Sequence, residues 1–154
     1  MAGTTRSRRK FLARVAALLA LPAAAPRAAR AQENTVDAMV RKLTAGAKIT
    51  SGRVKLDLPA LAENGNSVGL KVSIDSPMSA TDFVRSIHLY AEKNPRPNIA
   101  NFFLGPRSGR AQVVTRVRLA GTQNVLAIAA LSDGSFWSDT AEVTVTNSAC
   151  YDGS

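Results

Sequence analysis

Between residues 54 and 146 apolar side chains recur at every second position. Val54, Leu56 and Leu58 alternate with Lys55 and Asp57, and Val68, Leu70, Val72 and Ile74 alternate with Gly69, Lys71 and Ser73. A period of two marks a strand with one face on a core. The same reading predicts strands over 83–90, 99–104, 113–119, 122–131 and 136–146. In the first of these, Ile87 and Leu89 point inward and His88 and Tyr90 outward. Segment 122–131 is apolar almost throughout, which predicts burial on both faces. Pro59, Ser76-Pro77 and Asn94-Pro95-Arg96-Pro97-Asn98 separate the strands, since each proline fixes its own φ. Asn64-Gly65 and Asp133-Gly134 are hairpin-type turn signals.

The helical period occurs once in this part of the chain. Val36, Met39, Val40 and Leu43 fall at i, i+3, i+4 and i+7, predicting one short amphipathic helix over 35–45. Asn34 is the expected N-cap and Gly46 the expected residue that closes it. With no second helix between the strands, a parallel βαβ sheet is excluded. The fold class is therefore all-β: an immunoglobulin-like antiparallel β-sandwich of about seven strands preceded by one short helix.

Charge divides the chain differently. Of its 20 Lys and Arg residues, seven fall in residues 1–31, which hold no acid, leaving 13 against 11 Asp and Glu in the remainder. The basic excess thus belongs to the leader, and a nucleic-acid-binding domain is not supported. Ser7-Arg8-Arg9-Lys10-Phe11-Leu12 has the form of a twin-arginine signal, with Arg8, Arg9, Phe11 and Leu12 at the defining offsets. The apolar stretch after it is interrupted by Arg14 and Pro22 and is too short for a lasting anchor. Ala29-Arg30-Ala31 fits a cleavage site. The expected organisation is a signal peptide at 1–31, a sandwich domain at 32–146 and a C-terminal arm at 147–154. The mature protein is then periplasmic, exported by the twin-arginine route and free of the membrane.

Candidate chemistry is sparse. One His and one Cys without metal-ligand spacing predict no metal site, and no glycine-rich phosphate loop precedes a helix. A His88–Cys150 dyad lacks further catalytic groups, so no catalytic residue is assigned, and His88 reads as a surface or half-buried strand histidine. Cys150 is the one cysteine of an exported chain, which points to an intermolecular bond or a reactive thiol. It sits among Ser148, Ala149 and Tyr151 in a tail of mostly small residues, expected to extend freely from the domain.

Three stretches carry a family resemblance: residues 49–76 (ITSGRVKLDLPALAENGNSVGLKVSIDS), 87–104 (IHLYAEKNPRPNIANFFL) and 131–146 (LSDGSFWSDTAEVTVT). With the twin-arginine leader, they make the chain resemble SoxY, the sulfur-carrier family of the thiosulfate-oxidising Sox system. That resemblance implies a β-sandwich without enzymatic activity of its own and a heterodimer with a SoxZ-like β-sandwich subunit. It also implies transient encounters with other periplasmic Sox enzymes. Cys150 would carry thiosulfate-derived sulfur covalently, with no other cofactor. For the partner, the sequence offers Phe136-Trp137 or Ile87-Leu89. The family's arm is a Gly-Gly-Cys-Gly-Gly run, whereas this tail reads Ser148-Ala149-Cys150-Tyr151-Asp152. Tyr151 adds bulk, and Asp152 adds a charge that disfavours thiolate. A second reading is therefore a non-carrying SoxYZ-like binding or structural subunit associated with a periplasmic dehydrogenase system.

Overall fold

The structure, a computed structural model, describes residues 35–149. Helix α1 (Val36–Thr44) is followed by strands β1 (Ile49–Ser51), β2 (Val54–Asp57), β3 (Leu61–Asn64), β4 (Val68–Ile74), β5 (Val84–Ala91), β6 (Asn98–Phe103), β7 (Gln112–Val117), β8 (Gln123–Leu131) and β9 (Phe136–Asn147). One sheet runs β1-β9-β8-β5-β6, with β3 also on β9, and the other runs β2-β4-β7. Among the described residues, the all-β sandwich preceded by one short α-helix is as expected. The described residues hold nine strands rather than about seven, and the two additions, β1 and β3, pair parallel with β9.

The core lies between the sheets. Val54, Leu56, Val68, Leu70, Val72 and Ile74 from the small sheet meet Ile87, Leu89, Val125, Ala127, Ala129 and Val143 from the large one. Burying a side chain of Val or Leu size contributes about 1.5–3 kcal/mol, so these rows fix the strand register. Along one side the chain alternates between sheets: β1 large, β2 small, β3 large, β4 small. Asp139 stitches this side, its Oδ2 accepting from the Leu56 amide at 2.8 Å.

The helix begins one residue later than the sequence implied. Thr35 is the N-cap, in extended conformation, with its hydroxyl accepting from the Ala38 amide at 3.4 Å; Asn34 lies outside the described residues. Gly46 follows the helix at φ 81°, as the closing role requires. α1 lies over the outer face of the large sheet, where Met39, Lys42 and Leu43 share a shallow cleft of about 420 Å³ with Tyr90, Asn98 and Asn101.

This arrangement corrects the expectation for β5. The strand sits between β8 and β6, and its outward residues are covered as well as its inward ones: Tyr90 lies beside α1, and His88 is flanked by Ser86 and Asn101. His88 is buried at 9% exposure and Tyr90 at 3%. Both ring nitrogens of His88 are taken, Nδ1 bonding Asn101 Oδ1 at 2.8 Å and Nε2 bonding Ser86 Oγ at 2.9 Å. The exposed Phe103 ring meets it edge-on, centroids 6.2 Å apart. Burial pushes the Tyr90 phenol pKa up, and a hydrogen bond with Asn98 offsets part of that rise. β8 is buried on both faces as predicted, with Ile128 and Ala129 both fully enclosed.

Candidate functional site

The tail is the segment to which the sequence attached chemistry, and its root is built by three distant parts of the chain. β9 outruns β8, whose pairing with it ends at Gln123↔Val143. Beyond that point β3 accompanies β9, pairing Leu61↔Thr144, Ala62↔Val145 and Asn64↔Asn147. The Gly65 amide then donates to the Asn147 carbonyl at 2.8 Å. Leu119, its side chain fully buried, uses its backbone both ways: its amide donates to the Gly65 carbonyl at 2.8 Å, and its carbonyl accepts from the Ala149 amide at 3.1 Å. Across from this, the Val145 amide donates to Thr122 Oγ1 at 3.0 Å.

Three backbones crossing this closely leave no room for a side chain at position 65. A Cβ on Gly65 would overlap the Leu119 carbonyl oxygen, lie 2.7 Å from the Ala149 nitrogen and 3.0 Å from Val145 Cγ1. Gly65 is not among the positive-φ residues. Glycine is needed here for close approach and not for backbone freedom.

A polar brace holds the 118–121 loop in place. Asn94 Nδ2 donates to the Arg118 carbonyl at 2.8 Å, and its Oδ1 accepts from the Ala120 amide at 2.9 Å. Gln123, the first residue of β8 and 3% exposed, donates to Asn94 Oδ1 at 3.0 Å and to the Gly121 carbonyl at 3.1 Å, and accepts from the Lys93 amide at 2.8 Å. A buried amide with all these partners costs little, whereas losing one would leave a desolvated group behind. The phrases AENGNSV and AEKNPRPN, far apart in sequence, thus converge on the root of the tail.

Placing the predicted site residues on this frame changes one of them. Ser148 is exposed, but Ala149 is buried at 9% and hydrogen-bonded through its amide. The free arm therefore does not begin at residue 147: up to Ala149 the chain is part of the domain. Cys150 and Tyr151, like the signal residues Arg8, Arg9, Phe11 and Leu12, lie outside the described residues. His88 is held within the β5–β6 face by Ser86 and Asn101. Of the two faces offered to a partner, Ile87-Leu89 is closed, both side chains being fully buried core. Phe136 and Trp137 are half-buried on opposite faces of β9. Trp137 packs on the core, donates to Ser135 Oγ at 3.0 Å and carries Arg53 5.6 Å from its ring centroid.

Sequence reasoning missed Gly65, Asn94, Leu119 and Gln123 as a unit. No local pattern marked them: Gln123 sits with Thr122 and Asn124 at the polar start of its segment, where an amide is ordinary. Among the described residues, no three of His, Cys, Asp and Glu gather as metal ligands.

The fold and site define a small two-sheet β-sandwich module whose distinctive part is a braced tail ending in a single-cysteine segment. The family model of the sulfur oxidation protein SoxY matches residues 40–150, and the chain belongs to that family. The fold is similar to the sulfur carrier protein SoxY from Chlorobium limicola f thiosulfatophilum, with TM-score 0.60 and 23% identity over 72% of this chain and 91% of that one. It is also similar to superoxide reductase (neelaredoxin) from Ignicoccus hospitalis, with TM-score 0.56 and 18% identity over 63% of this chain and 94% of that one. Superoxide reductase from Nanoarchaeum equitans follows, with TM-score 0.53 and 12% identity over 62% of this chain and all of the other. At these identities the likeness is one of fold. No curated protein matches the chain.

Proposed function

We propose that this protein is a covalent sulfur carrier in thiosulfate or sulfur oxidation, with cargo attached to Cys150 and presented to partner Sox enzymes. The observation that carries the reading is the SoxY family match, whose span ends on the chain's one cysteine. Joining a cysteine thiol to the outer sulfur of thiosulfate forms an S–S bond, releases the thiol proton and removes two electrons. An oxidoreductase partner must take those electrons, because the carrier contributes only the thiol. Attack proceeds from the thiolate, so the surroundings of Cys150 set its readiness. Reading the leader as a twin-arginine signal places this chemistry in the periplasm. A SoxZ-like β-sandwich subunit forms the heterodimer in which the carrier works.

Intact-mass spectrometry of the mature protein from thiosulfate-oxidising cells, with and without reductant, tests the proposal. Reductant-sensitive sulfur adducts that disappear in Cys150→Ser are the expected result. A single unmodified mass under those conditions rejects the carrier and leaves the non-carrying subunit of a SoxYZ-like complex.

A further inference from the structure

We propose that Gly65, the Leu119 backbone and the Asn94–Gln123 brace form a clamp that fixes the base of the tail as far as Ala149, so that a partner reaching for Cys150 must dock around that base. The functional side of this inference rests on the carrier reading; the clamp itself rests on geometry. Residues 147–149 would add about 10 Å of reach if they were extended and free. Instead, Asn147 accepts from Gly65 and Ala149 donates to Leu119, while the Ala149 methyl is buried. The clamp closes only because position 65 has no side chain, a Cβ there lying 2.7 Å from the Ala149 nitrogen. Asn94 contributes at one remove: it bonds the backbone on both sides of Leu119, at Arg118 and Ala120, and so orients the carbonyl that holds Ala149. Gly65 and Asn94 are positioning residues for chemistry at Cys150.

The test uses the full mature chain and two readouts. Amide hydrogen exchange, resolved to single residues, should show Ala149 protected at least about tenfold over an unstructured peptide. Alkylation of Cys150 by N-ethylmaleimide and by a 5-kDa (approximate) polyethylene-glycol maleimide reports how far the thiol stands clear of the domain surface. Wild type should discriminate against the large reagent more strongly than a variant whose residues 147–149 are released, because release lengthens the reach of the tail. Gly65→Ala should bring the two rates together and abolish Ala149 protection, while amides of Leu89 and Val125 stay protected. Should Gly65→Ala fail to fold, Asn94→Ala removes the brace without inserting an atom and should shift both readouts the same way. Asn94→Asp keeps the acceptor but sets a carboxylate oxygen against the Arg118 carbonyl, and should shift both readouts at least as far as Asn94→Ala. Free exchange at Ala149 in wild type, or an unchanged rate ratio in the folded variants, overturns the clamp. An absence of sulfur adducts on Cys150 overturns the carrier reading and leaves both clamp readouts unaffected, so the two ideas fail separately.

Discussion

At Gly134 the chain turns with φ 84° into space where a Cβ would meet nothing within 4 Å. At Gly65 the backbone stays out of the left-handed region, and the space a Cβ would need is filled by two other backbones and the Val145 side chain. The residues before the two glycines do the same thing: Asp133 Oδ1 accepts from the Ser135 amide at 2.8 Å, and Asn64 Oδ1 from the Asn66 amide at 2.9 Å. Yet the first is a true hairpin, Leu131 bonding Ser135 and Gly134 across the β8–β9 turn, the usual three-residue loop with a left-handed glycine. The second passes the chain from the large sheet to the small one and clips the end of β9 on the way. Two turns with one local chemistry need glycine for unrelated physical reasons, conformational freedom in one and atomic volume in the other.

That difference can be broken experimentally. The largest effect is expected for Gly65→Ala, where backbone atoms must move to admit a methyl group. Overpacking of that kind costs about 3 kcal/mol, read as a lower urea midpoint with unchanged slope. Gly65→Asn should be no milder, since the obstacle is volume.

Asn94→Ala comes next. It deletes a donor and an acceptor that serve three hydrogen bonds, for a loss of about 2 kcal/mol in the same denaturation measurement.

Gly134→Ala should cost about 1 kcal/mol for placing an L-residue at positive φ. Gly134→Asn should recover a good part of this, because Asn tolerates that region. An equal response of both glycines to Ala and to Asn would erase the distinction.

The smallest effect concerns Asp133, which is exposed. Hydrogen bonds from the Ser135 side chain and backbone, in that order, hold its carboxyl pKa below the ordinary value. A group depressed on folding stabilises above its unfolded pKa, near about 3.9, and loses that contribution as pH falls through the lower folded value. Asp133→Asn should therefore flatten the acid limb of the stability curve below about pH 4 and leave neutral stability nearly unchanged. Urea midpoints across the acid range check this.

Where alternation was strong, the sequence was a good guide. β2, β4, β7 and β8 lie within a residue or two of the predicted spans, because each carries a row of apolar side chains that must face the core. β3 was invisible for the opposite reason. Only Ala62 of its four residues is buried, and its large apolar residue, Leu61, is 58% exposed, so no period exists to be read. Backbone hydrogen bonds to β9 hold it. The outward side of β5 misled for another reason: His88 and Tyr90 look like a solvent face, but His88 is matched by Asn101 and Ser86, and Tyr90 by Asn98 beside the helix.

The sequence by itself determined the two-sheet sandwich, its single helix, the family-like segments and the position of Cys150 just beyond the last strand. These are properties of local period and of runs of residues, and each is written in consecutive positions. Only the tertiary structure decided that the tail is held as far as Ala149, and that Gly65, Asn94, Leu119 and Gln123 hold it. Those residues matter through the distance between backbones that the chain order keeps more than 20 positions apart, and side-chain pattern along one strand carries no record of how near another strand's backbone will come.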